Sequence, residues 1–522
     1  MSNKKSNAKT VVNVAGITIF SRLLTLISTQ IYLSTFGTSN TLLDIYVYAL
    51  MIPNIIFTCI GTCLTTVIVP IYSGTLAKGD CERAKKFLDD IISISTIFML
   101  ALIILGLIMS PSIVWFSGYR NDSFNFNYAV FALRVLIPVM FFYGLNFIFQ
   151  AILQSHHKFL LPAFVSVPSS LTVILYLLTL SESFGVTGLL FATLLGLSLQ
   201  ALFLLPAVLK LGYRYSPSFN MKSEDVITSF KLSGPVLIGV SAYQINSLFN
   251  ISLASRFNNV ALLQNVQNIV LTSVLTFIYS ITSVYYPRLS ALWAKENLDE
   301  YKKSLSEILS VVLFLLIPLT FGLITLRIPF FNLITNWGKI TDNDISIMAT
   351  ILALYSFGIP AMGFKEIIDR ALYSQKQTKV SAIVGFIIMA LNIIFSLSLA
   401  GFLGIYSLPL SYSLSSTIGV SILIFLMYKR IGHFFNGVLS LVWKCLASAS
   451  IMSITILGIE HIFSSFHNSN IIFRAAALFI PVGFGAIVYF ALTYFLNVEQ
   501  SRIVIEKAKS FLKISTQTNI SG

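Results

Sequence analysis

The sequence predicts an all-α polytopic membrane protein with about fourteen transmembrane helices, arranged as two six-helix lobes in parallel pseudo-repeat plus two C-terminal helices. Three observations carry this expectation. Of 522 residues, 56% are hydrophobic and only 10% are charged, and the mean hydropathy is +0.85, leaving too little polar surface for a soluble domain. Apolar runs of bilayer-crossing length recur from end to end. Basic residues collect in alternate connections between those runs, as topology signals do.

The first run, 11–33, follows Lys4, Lys5 and Lys9. It is too long for a signal peptide, carries Arg22 in its middle and lacks a small-residue cleavage site, so it reads as a retained span. Further spans are expected near 43–72, 87–110, 128–153, 159–181, 185–210, 227–254, 262–285, 304–327, 345–370, 380–400, 405–428, 438–463 and 471–496. On one side the connections hold 23 basic residues, among them Lys78, Arg83, Lys85, Lys86, Lys210, Arg214, Lys222, Lys429 and Arg430. The other side holds Arg120, Arg256, Arg327 and Lys339. The basic side is therefore expected in the cytoplasm, and an even span number puts both termini there.

An internal repeat appears when 69–87 is laid on 286–304. Pro70/Pro287, Ser73/Ser290, Ala77/Ala294, Lys78/Lys295, Lys85/Lys302 and Lys86/Lys303 coincide. These segments close the second and eighth spans, so the repeat is six spans long and its halves run parallel. The expected organisation is an N-terminal lobe over 1–212, a C-terminal lobe over 213–432, and two more spans with a tail over 433–522. Two lobes pivoting about a central cavity are the physical basis of alternating access.

Several polar residues interrupt the apolar runs. Arg22 lies mid-span, where a charge costs at least a few kcal/mol unless it faces protein or water. Thr25 and Thr29 follow it on the same helical face. Arg134 and Lys231 also remain once connections and span ends are counted. Span 7 carries Ser233, Ser241, Gln244 and Ser247 on one side, and Gly234-Pro235 is expected to bend or break it. Span 10 ends in Lys365-Glu366-Ile-Ile-Asp369-Arg370, whose i, i+4 spacing suits two ion pairs. Asp44 caps a helix or touches a ligand. With Glu366 and Asp369 counted against the five cations, the expected cavity charge is about +3, which favours an anionic substrate.

The absences narrow the function further. No G-x-x-x-x-G-K-[ST], H-E-x-x-H or G-x-S-x-G pattern occurs. The five histidines lack metal-ligand partners, and Cys59, Cys63, Cys81 and Cys445 are too scattered for a disulfide framework. A transporter with no cofactor, no metal and no nucleic-acid partner is expected. Its drive is the membrane potential or an ion gradient.

The chain resembles the MurJ/MviN lipid II flippases, within the superfamily of multidrug and polysaccharide exporters. The likeness rests on Phe20-Ser-Arg22, Phe36-Gly37 followed by Asp44 and Pro53-Asn54, and Val69-Pro70. It continues through Ile152-Leu153 with Pro162-Ala-Phe164, Gly234-Pro235 with Gln244-Ile245, Trp337-Gly-Lys-Ile-Thr341, and Arg370-Ala-Leu-Tyr-Ser-Gln. The resemblance implies an undecaprenyl-diphosphate-linked peptidoglycan precursor moved from the inner to the outer leaflet, Arg22 at the diphosphate, Asp44 near the outer gate, and contact with cell-wall synthesis proteins. Further cavity arginines of the family align here with Ser28, Phe57 and Asn268. Export of another polyprenyl-linked oligosaccharide and a non-transporting scaffold remain as alternatives.

Overall fold

The structure is a computed structural model that describes residues 2–502 apart from 39, 157, 336, 337, 376, 436 and 464–469. Side chains at 2–13, 15, 66, 67, 77, 235, 236, 238, 239, 271–277, 279–284 and 287 also lie outside the description. Among the described residues the secondary structure is helical throughout. Ten helices or joined helix pairs are long and apolar enough to cross a membrane, or eleven when a pair bent by 41° is counted as one span.

Packing separates two units. The first, Met1–Ala261 with Trp337–Ile340, contains α1 (Ser2–Phe36), α2 (Thr41–Ala77), α3 (Cys81–Trp115), α4 (Ser123–Leu136), α5 (Val139–Ser155), α6 (Leu160–Ala163), α7 (Val167–Thr179), α8 (Ser181–Leu209) and α9 (Glu224–Ala254). Helix α10 (Val260–Ala294) starts at the unit boundary. The second, Leu262–Asn336 with Thr341–Gly522, contains α11 (Leu298–Thr325), α12 (Arg327–Thr335), α13 (Asp342–Ser356), α14 (Ile359–Ser374), α15 (Thr378–Leu403), α16 (Ser407–Ile431), α17 (Val438–Phe463) and α18 (Ile471–Phe495).

Helix starts follow from local chemistry. The first backbone N–H groups of a helix have no intrahelical acceptor, and a polar side chain just ahead supplies one. Asn40, Asp80, Asp122, Ser223 and Asn297 do this for α2, α3, α4, α9 and α11. Thr341 and Asp344 form a reciprocal capping box at α13. The hydropathy pattern misses these polar first turns, so α3 begins at Cys81 rather than near 87. Between α15 and α16, Gly404 takes φ +55, which an L side chain rarely adopts.

Apolar packing holds each unit. In the first, Ile68, Phe87, Leu88, Ile152, Leu204, Val208, Tyr213 and Val226 form one buried cluster where α2, α3, α5, α8 and α9 come together. Phe57 is buried and stacks against Tyr143 and Phe147. A Cβ at Gly144 would run into Met99 and Phe57, whose side chains would have to shift. In the second, Gly419 of α16 lies against Ile388 of α15 in the same way.

The break expected in span 7 is absent. Helix α9 runs unbroken from Glu224 to Ala254, through Gly234 and position 235. The Pro235 side chain lies outside the described residues. Helix α9 packs on α2 and so belongs with the first unit.

Candidate functional site

In the first unit the candidates sit on α1, α2, α4 and α9. Ser21 of α1 donates to the Ala163 carbonyl at 2.8 Å. Thr25 donates to its own helix at the Ser21 carbonyl, 3.0 Å, and lies 3.1 Å from the Ser170 hydroxyl of α7. Thr29 donates to the Thr25 carbonyl at 3.0 Å. Both threonine hydroxyls thus donate within α1, and Thr25 also meets α7. Arg22 is exposed, and among the described residues it has no hydrogen-bond or ion-pair partner. Such a guanidinium keeps its five donors available.

Asp44 is only 1% exposed, and its Oδ1 accepts the Ala261 backbone N–H at 2.8 Å. Ala261 lies in the first turn of α10, so the carboxylate caps that helix and meets the positive end of its dipole. Of the two readings left open by sequence, the structure gives Asp44 the cap; it does not line an open surface. Asp44→Ala is expected to lower stability by about 1–2 kcal/mol by stranding that N–H, whereas Asp44→Asn retains an acceptor and most of the stability. Thermal midpoints of the two purified variants in detergent check this, and equal losses would refute the cap.

Asn54 is exposed on α2, where its Oδ1 lies 3.3 Å from the Thr58 hydroxyl. Arg134 is exposed on α4, and its Nε donates to Ser110 Oγ of α3 at 2.9 Å. Lys231 is exposed on α9, while Gln244 is buried. Ser233 and Ser241 donate to carbonyls of their own helix, at Ser229 and Leu237. Among the described residues neither Arg134 nor Lys231 meets a carboxylate.

In the second unit, Lys365 Nζ lies 2.5 Å from Asp369 Oδ2, and Arg370 Nε lies 2.9 Å from Glu366 Oε1. Asp369 also accepts from Ser381 Oγ of α15 at 2.6 Å, which fixes α14 to α15. Asn268, on α10, is exposed and accepts from Gln264 at 2.9 Å. The two ion pairs neutralise the charges of α14. Arg22, Arg134 and Lys231 are the candidate cations with no carboxylate partner among the described residues. Ser28 and Phe57 are buried, so a guanidinium at either would meet packed side chains.

Sequence reasoning missed a second set of carboxylates. Asp89 and Asp90 on α3 are both buried, and both hold the segment between α8 and α9. Asp89 Oδ1 accepts from Tyr213 Oη at 2.6 Å and from the Ser216 N–H at 3.2 Å. Asp90 Oδ1 accepts from Ser218 Oγ at 2.6 Å and from the Asn220 N–H at 3.0 Å. Burial and the Asp89 carboxylate hold the Tyr213 hydroxyl well above the usual tyrosine pKa, so it stays a donor. Arg83 adds ion pairs to Asp225 at 2.7 Å and Glu224 at 3.3 Å. Adjacent acidic residues at the start of an apolar run were the available signal.

No metal-binding group of His, Cys, Asp and Glu occurs among the described residues. Apolar helices long enough to cross a membrane recur along the chain and make it a multi-pass membrane protein. Solved structures share this fold. One described as lipid II flippase MurJ in an inward closed conformation matches with a TM-score of 0.77 and 23% identity, over 93% of this chain and 98% of that one. A MATE-family multidrug transporter of the MOP superfamily, inward-facing, matches with a TM-score of 0.65 and 16% identity, over 81% and 99%.

The family model described as lipid II flippase MurJ matches residues 33–476, and the chain belongs to that family. It is a multi-pass protein of the bacterial inner membrane. Relatives named probable lipid II flippase MurJ include one from Buchnera aphidicola subsp. Acyrthosiphon pisum, 25% identical over 430 residues, covering 81% of this chain and 84% of the relative. Another from Vibrio cholerae is 24% identical over 505 residues, covering 94% and 96%.

Proposed function

We propose that this protein translocates lipid II, an undecaprenyl-diphosphate-linked peptidoglycan precursor, from the inner to the outer leaflet of the bacterial cytoplasmic membrane. The single observation that carries the reading is Arg22, an exposed guanidinium within a membrane helix of a MurJ-family chain, with no partner among the described residues. A diphosphate offers paired oxygens that match the guanidinium fork. Arg134 and Lys231 add charge of the same sign, and no acidic residue pairs with either among the described residues. A groove of about 360 Å³ on the second unit, lined by Phe314, Pro318, Met452, Leu478, Val482 and Tyr489, suits a hydrocarbon chain.

The architecture we propose has fourteen spans in two six-helix lobes and a C-terminal pair. Counting α9 and α10 as spans and dividing Thr378–Ile431 at Gly404 brings the eleven apolar crossings to that number. The lobes follow the sequence repeat, with boundaries near 212 and 432, and both termini lie on the basic, cytoplasmic side. Lobe motion exposes the headgroup to each side in turn. A surplus of positive charge in the headgroup path couples translocation to the membrane potential by about 2.3 kcal/mol per charge per 100 mV. Released precursor passes to cell-wall synthesis proteins at the outer face.

The test is complementation. In a bacterium depleted of its own lipid II flippase, expression of this chain is expected to restore growth and externally accessible lipid II. Stable expression with neither restored would transfer the proposal to another polyprenyl-linked oligosaccharide.

A further inference from the structure

The 14-residue connection between α8 and α9, residues 210–223, is fixed by the α3 clasp, and its two sides differ sharply. The inward side consists of the groups that meet Asp89, Asp90 and Ser93: Tyr213, the Ser216 N–H, Ser218 and the Asn220 N–H. The outward side is basic or apolar. Lys210, Arg214 and Lys222 are exposed, and among the described residues no carboxylate lies within ion-pair distance of them. Between them Tyr215, Phe219 and Met221 stand 46%, 57% and 50% exposed. Tyr215 additionally holds Ser93 through its hydroxyl at 2.8 Å.

The flanking helices also carry exposed apolar side chains, Leu202 and Leu209 on α8 and Ile227 and Phe230 on α9. The acidic residues that follow, Glu224 and Asp225, are engaged by Arg83. From this geometry we propose that the connection is a preformed membrane-interface site for anionic phospholipid headgroups. Phe219 and Met221 enter the acyl boundary, while Lys210, Arg214 and Lys222 take the phosphates. A flexible loop with the same composition would lose ordering entropy on binding; the clasp removes most of that cost beforehand.

The second repeat differs at the clasp positions. Gly212 and Gly432 both follow the last turn of a span with positive φ, at +81° and +75°, so the corresponding connection after α16 begins alike. At the positions of the second repeat that correspond to Asp89 and Asp90 stand Ser306 and Glu307, and Glu307 pairs with Arg288 at 3.8 Å. The proposal is independent of what the protein transports.

A photoreactive benzophenone residue placed at position 219 of the full-length chain tests it, in liposomes of equal phosphatidylglycerol and phosphatidylethanolamine without lipid II. Each basic side chain near an anionic surface favours the charged lipid by about fivefold, so crosslinks to phosphatidylglycerol are expected to exceed those to phosphatidylethanolamine at least fivefold. Lys210→Gln/Arg214→Gln/Lys222→Gln is expected to bring the ratio near one, while Lys210→Arg/Lys222→Arg preserves it. Absence of lipid crosslinks, an equal ratio in the unmodified charge background, or a ratio insensitive to the glutamines would each overturn the proposal. Asp89→Asn/Asp90→Asn is expected to lower the ratio with all three cations present; an unchanged ratio would remove the clasp from it.

Discussion

An Arg22→Ala variant is expected to fold with an unchanged thermal midpoint and to flip lipid II about 30-fold more slowly in proteoliposomes. Arg22 has no partner to lose among the described residues, so truncation leaves no stranded group and costs little stability. A charge-assisted contact to a phosphate contributes about 2 kcal/mol, which converts to that rate factor if the contact tightens during translocation. Arg22→Lys keeps the charge and loses the planar fork, so an intermediate rate is expected. A normal rate in Arg22→Ala would remove Arg22 from the headgroup path, and a lowered midpoint would mark it as a packing residue.

The second large effect concerns stability. Asp369→Ala is expected to destabilise the protein by about 3 kcal/mol, because it strands the Lys365 ammonium within the bundle and frees Ser381. Removing both charges, as in Lys365→Met/Asp369→Leu, is expected to recover most of that loss, since apolar pairs commonly replace buried ion pairs at little cost. A double-mutant cycle on midpoints in detergent measures the coupling. Additive losses would show that the two side chains do not depend on each other.

These two sites differ in how far sequence could reach. Lys365 and Asp369 are four residues apart on one helix, and helical geometry alone brings such side chains together. Arg22 was legible because a lone cation in an apolar run is costly wherever the chain folds. The Asp89 and Asp90 clasp was not, because its partners lie more than 120 residues away and include backbone N–H groups that no side-chain pattern encodes. Asp44 shows the same limit, since its partner is the backbone of Ala261, 217 residues on. Fold class followed from composition and run length, which are local properties. Breaks within spans were missed: the expected 128–153 is α4 and α5, separated at Ile137 and Pro138, and the expected 345–370 is α13 and α14, bent by 41°. Hydropathy averages over a break that costs only one or two hydrogen bonds.

The clasp also sets an order of events at the ribosome. Arg83 and Asp225 are 142 residues apart, so at about 5–20 residues per second the second arrives roughly 7–28 seconds after the first. For most of that interval Asp89 and Asp90 have no strap to receive and must remain hydrated. Spans built from α4 to α8 are synthesised while this end of the unit is still wet, and its closure waits for the first turn of α9 to emerge.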